Sequence, residues 1–295
     1  MTTTSTPYGR ARAFLRDHAR ILEQRLADTV FDGADPAPVA AAVGAYRNPD
    51  GGFGHSLEPD SRCPTSQPLY AQIALEALRT AGAEPDQAML TSLCDHLASV
   101  AAPGGPVPLM LPGFAAYPRA AHWQGVDELP PDLNPTAALV GLLHGFGATH
   151  PWLDDATAWC LDTLETGGLP AEAHALHCVL TLLEHVPDQV RAGSIAAGLA
   201  DALGPAAFYR ADPDDPEYGV TPLDLAPEPA SPWRKLFADD LIAAHLDALA
   251  AEQQPDGGWP IRWEPPTEPS TWEWRGMVTL RALGTLVADG RLPTA

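Results

Sequence analysis

Two carboxylates lie two residues apart in the loop from His55 to Cys63. Glu58 and Asp60 are separated by Pro59, which stiffens the backbone between them. Two nearby acids in a partly apolar surrounding raise the pKa of one of them, so that a proton donor stands beside an ionised partner. This pattern favours acid–base catalysis, with Asp60 as the donor, Glu58 as its neighbour and His55 as a substrate contact. The structural alternative is that an acid near a helix N-terminus only caps free N–H groups.

Half of the eight tryptophans are concentrated near the C-terminus. The segment carries Trp259, Trp263, Trp272 and Trp274, with Arg275 directly after the last of them. Aromatic faces stabilise cations through their quadrupoles, and they also stack on sugar rings. We therefore expect these five residues to bind a substrate, although one or two of the tryptophans are expected only to fill space between helices. Arg275 is also a candidate partner for one of the two acids.

Two long connections supply further candidates. Asp224 stands between two leucines in the segment 206–232, where we expect it either to turn inward as an acid or ligand contact or to brace the loop. Trp123 lies in the segment 102–132 and is expected to form part of an opposing lid. Loops of this length within a compact domain are usually functional or disordered.

The chain is strongly acidic, with 38 acidic and 17 basic residues and a net charge of −21. Such a field repels phosphate backbones and anionic membranes, so nucleic-acid binding is disfavoured. No apolar run approaches a membrane span, and the N-terminal residues lack the regions of a signal peptide, so a cytoplasmic location is expected. The chain contains no strong metal or nucleotide motif, and we expect neither a metal nor a cofactor.

One short turn occurs twice and must position these candidates. Asn48 to Gly54 reads Asn-Pro-Asp-Gly-Gly-Phe-Gly, and Gln254 to Pro260 reads Gln-Pro-Asp-Gly-Gly-Trp-Pro. Proline and aspartate favour a turn, glycines permit positive φ, and the aromatic residue pins the turn onto the helices. Each copy follows one apolar helical stretch and precedes another, so that the acids follow the first turn and the tryptophans follow the second.

Apolar spacing predicts helices throughout the chain. The predicted helices cover residues 8–30, 36–46, 66–80, 86–100, 134–145, 152–165, 171–185, 188–203, 234–252 and 270–287. Helices that are apolar on most faces alternate with amphipathic ones from residue 66 onward, which predicts an all-α fold, an (α/α) barrel or toroid of inner and outer helices, in a single domain 1–295. Asn134-Pro135 and the pair Ser270 and Glu273 are the predicted caps of two apolar helices.

The turn segments 48–54 and 253–259 resemble the repeat of terpenoid cyclases and protein prenyltransferase β subunits. The resemblance covers the helical pattern over most of the chain, and it implies an α/α toroid. In class II cyclases, the middle Asp of Asp-x-Asp-Asp protonates an alkene or epoxide. Asp212-Pro213-Asp214-Asp215 matches that string but lies in a proline-rich acidic loop, so we interpret it as surface. The Asp-x-Cys zinc pair of the prenyltransferases does not occur in the chain.

These observations favour an enzyme of the isomerase or lyase class that resembles terpene cyclases. It would cyclise or isomerise a small apolar molecule, an isoprenoid or another polyene, by acid initiation in a toroid cavity. Two alternatives remain open, a carbohydrate-active (α/α) barrel, whose sites also combine carboxylates with stacking tryptophans, and a non-catalytic binding toroid. The oligomeric state is left open.

Overall fold

Thirteen α-helices form the secondary structure of the computed structural model, which describes residues 6–293. They are α1 (Pro7–His18), α2 (Ile21–Asp32), α3 (Ala37–Gly44), α4 (Pro68–Ala81), α5 (Gln87–Val100), α6 (Leu133–Gly145), α7 (Pro151–Gly167), α8 (Ala173–His185), α9 (Gln189–Ala196), α10 (Leu199–Leu203), α11 (Pro222–Leu225), α12 (Asp239–Ala251) and α13 (Glu268–Ala288). Residues 6–293 contain isolated β-bridges but no β-strand, which confirms the predicted all-α class. Within that range, no helix is long and apolar enough to cross a membrane.

The chain divides into two compact units, which we name by their place in the sequence. The central unit is Val43–Tyr209, and the terminal unit combines Met1–Ala42 with Arg210–Ala295. The central unit contains α4 to α10 and the loop with the two acids, whereas the terminal unit contains α1, α2 and α11 to α13. The single domain expected from the sequence stays a prediction.

Helices of the central unit form two rows. In one row α6 contacts both α4 and α8, and in the other α7 contacts both α5 and α9. The rows meet where α6 packs on α7 and α8 packs on α9. Ten of the thirteen residues of α6 are buried, but only five of the fourteen residues of α5, so this pair shows the predicted difference between an apolar and an amphipathic helix.

The closest approach of α6 and α8 occurs at Gly141. A Cβ atom at this position would lie 2.3 Å from the carbonyl oxygen of Thr181 and 2.8 Å from the Cα atom of Leu182. Backbone atoms cannot swing away as a flexible side chain can, so the spacing of these helices requires a residue without a Cβ atom.

In the terminal unit, α13 packs on α1, α2 and α12, and α11 packs on α12. Only seven of the twenty-one residues of α13 are buried. This helix is therefore more exposed than the predicted apolar helix 270–287.

The predicted single helix 8–30 is wrong, because the chain breaks between α1 and α2. Ala19 and Arg20 are both extended, with ψ angles of 159° and 161°. The Gln24 side chain donates a hydrogen bond of 2.9 Å to the carbonyl oxygen of Ala19, and a Cβ atom on Gly276 of α13 would lie 2.9 Å from the Cβ atom of Ala19. A side-chain hydrogen bond and a close contact with another helix thus hold a break that has no proline or glycine.

Two further helices differ from their predicted bounds. The predicted helix 188–203 is divided into α9 and α10 around Ala197 and Gly198. The predicted helix 234–252 begins only at Asp239, because Pro232–Leu236 forms a 3₁₀ turn and Phe237 is extended. Proline at the start of that turn fixes φ and favours the tighter geometry.

One of the two predicted caps is wrong. The helix α13 is capped by Thr267, whose Oγ1 accepts a hydrogen bond from the Ser270 amide, so the helix starts before the predicted cap at Ser270 and Glu273. In α6, Asp132 accepts from the Leu133 amide, and Asn134 has non-helical φ and ψ. Helical backbone therefore continues from Pro135, which agrees with the predicted start at Asn134-Pro135.

Candidate active site

The two repeated turns have the same hydrogen bonds. In the first, the Asn48 amide donates to the Gly52 carbonyl at 2.9 Å, and the Gly52 amide donates to Asp50 Oδ1 at 3.0 Å. In the second, the Gln254 amide donates to the Gly258 carbonyl at 2.8 Å, and the Gly258 amide donates to an Asp256 carboxylate oxygen at 3.1 Å. The first glycine of each pair has positive φ, and the aromatic residue that follows the pair is buried. The predicted turn is therefore a real structural repeat.

The loop from His55 to Cys63 returns to the turn that it leaves. The His55 amide donates to the Pro64 carbonyl and the Ser56 amide to the Cys63 carbonyl, which closes the neck of the loop. His55 and Ser56 both have left-handed backbone conformations, with φ angles of 58° and 60°. Two successive residues of this kind, neither of them glycine, are uncommon and costly, and such strain is concentrated at functional sites.

Both predicted acids are buried in this loop. Glu58 and Asp60 are each 5% exposed, and Glu58 Oε2 accepts a hydrogen bond of 3.1 Å from the Asp60 amide. The Asp60 carbonyl accepts a bond of 2.8 Å from the Ala120 amide, and the Tyr70 hydroxyl donates to the Ser61 carbonyl at 3.1 Å. The backbone around the acids is thus fixed from three sides, as a preorganised site requires.

The connection between α5 and α6 covers the acid loop on one side. His122 lies with Nε2 at 3.7 Å from Asp60 Oδ2, and its side chain is half exposed. The ring of Trp123 stands edge-on to both His122 and Phe114, at 5.1 and 5.8 Å between ring centroids. Arg119 donates to the Trp123 carbonyl at 2.8 Å and lies over the Phe114 ring. The predicted lid residue Trp123 thus contacts His122, which in turn approaches Asp60, within the central unit.

Tyr70 completes the surroundings of the acid loop. Burial raises the pKa of Tyr70 above its ordinary value, and the nearby charge of Glu58 raises it further. The phenol therefore stays protonated at neutral pH and acts here as a hydrogen-bond donor.

The predicted aromatic residues of the terminal unit fall into three settings. Trp259 is 2% exposed, and its indole N–H donates to the Leu249 carbonyl at 2.7 Å, so it secures the turn. Trp263 stands edge-on to both Tyr218 and Trp274, in a cluster at 5.2 and 4.9 Å between centroids.

Trp272 and Arg275 form the third setting. Trp272 is stacked on His18 at 4.9 Å between centroids. The guanidinium of Arg275 lies over the rings of Phe14 and Trp272, and it donates two hydrogen bonds to Asp256, at 2.7 and 2.9 Å. Arg275 therefore has a carboxylate partner in its own unit.

Asp224 accepts hydrogen bonds at the start of α11. Its Oδ2 accepts from both the amide and the hydroxyl of Thr221, at 2.8 and 2.7 Å, and the Thr221 hydroxyl accepts from the Asp224 amide. This reciprocal arrangement is a capping box, which is the bracing alternative raised by the sequence. In the Asp-x-Asp-Asp string, Asp212 and Asp214 are exposed, and Asp215 lies 3.3 Å from Arg210.

Sequence reasoning missed the residues that hold the acid loop at its neck. Ser66 donates to Asp50 Oδ1 at 2.7 Å, and Asn48 Nδ2 donates to Ser66 Oγ and to the Pro64 carbonyl. His96 of α5 packs against the same turn beside a cleft of about 530 Å³. The repeated turn signalled Asn48 and Asp50, but their partners are set by tertiary packing alone.

Neither the models of known protein families nor the curated protein sequences give a match to this chain.

Proposed function

We propose that this chain is a terpene cyclase-like enzyme, which cyclises or isomerises a small isoprenoid or other polyene by protonation from Asp60. The observation that carries the proposal is the setting of one carboxyl group. The Asp60 side chain is only 7% exposed, yet it lies 3.7 Å from the half-exposed imidazole of His122. Burial disfavours the ionised form of a carboxyl group, and the imidazole connects it with solvent, so one group donates a proton and the other replaces it.

The proposed reaction needs only proton transfer and the rearrangement of π electrons. The Asp60 O–H bond breaks and a C–H bond forms at one alkene carbon, which leaves a carbocation on the substrate. A second double bond of the substrate attacks that cation, and loss of a proton to solvent from a neighbouring carbon restores an alkene. His122 then passes a proton to Asp60.

The neighbouring residues have supporting roles in this proposal. Glu58 holds the Asp60 amide, so that the donor keeps its position. The ring of Trp123 packs edge-on against His122, the residue next to Asp60, and we assign it to shielding a cation near the acid. We assign Trp259 and Asp224 to the stability of the turn and of α11. The substrate contacts expected from the sequence at Trp263, Trp274, Trp272, Arg275 and His55 stay predictions.

We also propose that the helix pairs belong to an (α/α) toroid, with α4, α6 and α8 in its inner row. The two rows of the central unit and the repeated turn support this arrangement. A crystal structure of the protein tests it, since we expect inner helices around a closed ring, whereas an open solenoid would contradict it.

The function is tested by incubating the purified protein with linear polyenes, prenyl diphosphates and oligosaccharides, followed by mass spectrometry. We expect cyclised or isomerised products of a polyene, and we expect Asp60→Asn to lower their rate of formation by roughly 10²- to 10⁴-fold. The matched control is Asp214→Asn, which removes the exposed middle acid of the Asp-x-Asp-Asp string and is expected to leave the rate unchanged.

A second pair of variants separates the two proton-transfer roles. His122→Gln is expected to slow repeated turnover while a single turnover by pre-protonated enzyme persists. Circular dichroism spectra and melting curves matched to the wild type show that each variant folds. Product formation that is undiminished in Asp60→Asn would overturn the assignment, and cleavage of oligosaccharides would favour the carbohydrate-active alternative.

A further inference from the structure

The two repeated turns hold their aspartates with different partners. In the second turn, Arg275 donates to both carboxylate oxygens of Asp256, and a Cβ atom on Gly258 would lie 2.8 Å from Arg275 Nη2. These hydrogen bonds lower the pKa of Asp256 below its ordinary value. Because an arginine is protonated at all physiological pH values, this ion pair does not depend on a change of protonation near neutrality.

In the first turn, His96 lies against the second glycine and faces Asp50, whereas in the second turn Phe14 lies against the glycine and Arg275 binds the aspartate. A Cβ atom on Gly52 would lie 2.8 Å from His96 Nε2, and His96 Nδ1 lies 3.6 Å from Asp50 Oδ2. The His96 side chain is only 6% exposed, and its Nε2 atom is buried without a hydrogen-bond partner in the part of the chain that the structure describes. The aspartate of the second turn thus faces a permanent cation, whereas the aspartate of the first turn faces a titratable imidazole.

Asp50 connects His96 with both ends of the acid loop. Its Oδ1 accepts from the Gly52 amide, where the chain enters the loop, and from Ser66 Oγ, where the chain leaves it. Asn48 Nδ2 donates to the same Ser66 oxygen at 3.0 Å and to the Pro64 carbonyl at 3.1 Å. A movement of the Asp50 carboxylate therefore changes the hydrogen bonds at the neck of the loop.

We propose that His96 is a proton-dependent positioning residue, which makes the first turn and the neck of the acid loop sensitive to pH. Neutral His96 fits the turn, since only a lone pair is left unsatisfied at Nε2. Protonation puts a charged N–H donor at a buried site against Gly52, and such an unsatisfied donor is costly. The attraction to Asp50 offsets part of this cost. Acid therefore loosens the turn. Any effect of this loosening on catalysis rests on the proposed function, but the pH sensitivity of the turn does not rest on it.

The charges around His96 oppose this direction without reversing it. Asp50 faces it from the turn, and Asp95 precedes it on α5, where it is bound by His150 Nε2 at 3.1 Å. The cleft beside His96 is lined by the carboxylates of Asp50 and Asp95, by hydroxyl groups and by apolar side chains. Burial lowers the pKa of His96 below its ordinary value, and the charge of Asp50 opposes this shift without reversing it.

The switch is tested by nuclear magnetic resonance on the whole chain between pH 8 and pH 4.5. The ring signals of His96 report its protonation, and the protection factor of the Gly52 amide, which is corrected for the chemistry of exchange, reports opening of the turn. We expect opening to increase as His96 takes up its proton, by no more than tenfold per pH unit, because a single proton is involved. His96→Gln is expected to abolish this step.

Two further variants sharpen the test. Asp50→Asn is expected to move the titration of His96 to lower pH, because it removes the charge that opposes the effect of burial. Arg275→His in the second turn is expected to create a new pH-dependent step at the Gly258 amide, which the wild type lacks.

Two results would overturn the switch. One is a His96 titration that Asp50→Asn leaves unchanged, and the other is protection of the Gly52 amide that does not depend on His96 protonation in the wild-type protein. The wild-type titration decides the matter even if a variant does not fold. Because none of these readouts needs turnover, a failed switch and a failed Asp60 assignment are told apart.

Discussion

Substitution of Gly141 by alanine tests the packing of α6 on α8 directly. Alanine is favoured over glycine in a helix by about 1 kcal/mol, so local propensity alone predicts a gain in stability. Against this, the new Cβ atom would lie 2.3 Å from the carbonyl oxygen of Thr181. Ordinary contact requires roughly 3.4 Å, so α6 and α8 must separate by about 1 Å or distort.

The packing cost is expected to outweigh the gain in propensity. Overpacking of a well-packed core costs about 1–3 kcal/mol, and the upper end applies here because the obstacle is backbone. A cost of about 3 kcal/mol less a gain of about 1 kcal/mol leaves a net loss of about 2 kcal/mol in the free energy of unfolding.

The matched control is Gly193→Ala in α9 of the same unit. Gly193 is exposed, and a Cβ atom there has no atom of the described chain within 4 Å. Only the propensity term remains, so this variant is expected to be more stable than the wild type by roughly 0.5–1 kcal/mol. Urea denaturation followed by circular dichroism measures both variants. A Gly141→Ala protein as stable as Gly193→Ala would refute the close approach of α6 and α8.

Three other predictions concern buried polar groups and pH. The buried Thr136 hydroxyl accepts from the amide of Val107 at 3.0 Å and donates to the carbonyl of Val107 at 3.2 Å. Thr136→Val removes both hydrogen bonds and is expected to lower the free energy of unfolding by about 2 kcal/mol, measured in urea. Thr136→Ser keeps the hydroxyl and is expected to be near neutral. Trp259→Phe is expected to cost about 1–3 kcal/mol by leaving the Leu249 carbonyl without its indole donor, and thermal melting that matches the wild type would contradict this. The free energy of unfolding is expected to be full above about pH 6.5 and to fall below it. Burial lowers the pKa of three histidines in the folded state, so the unfolded chain takes up protons first as the pH falls. Urea titrations at about pH 7.5 and about pH 5.5 check this, and equal midpoints would contradict it. These histidines are His96, His144 and His185.

Features set by neighbours in the sequence were predictable. The Pro-Asp-Gly-Gly-aromatic turn forms the expected hydrogen bonds in both copies, because its residues bond to one another. Asp35 and Asp86 cap α3 and α5 at or within one residue of the predicted starts, since a cap needs only the next few amides. The burial of α6 follows from its continuous apolar composition.

Features set by distant residues were not predictable. The break at Ala19 depends on packing against Gly276, and no local signal marks it. The four tryptophans near the C-terminus look alike in sequence, yet Trp259 is buried with its N–H bonded and Trp272 is 36% exposed. Spacing alone does not tell which ring faces the core.

The candidate site shows the same division. The placement of Glu58 and Asp60 in one loop was evident, but not that the backbone of Asp60 is held by Ala120 or that His122 approaches its carboxylate. Those contacts depend on how the segment 102–132 folds back, and such a long connection carries little periodic signal.

Deuterium transfer from solvent tests the central claim most directly. A polyene is converted in D₂O by wild-type protein, by Asp60→Asn and by Asp214→Asn, and the products are analysed by mass spectrometry. Acid initiation from Asp60 predicts one solvent-derived deuterium at the protonated carbon, with product lost in Asp60→Asn and retained, equally labelled, in Asp214→Asn. A product without deuterium, or one formed equally well without the Asp60 carboxyl group, would contradict the account.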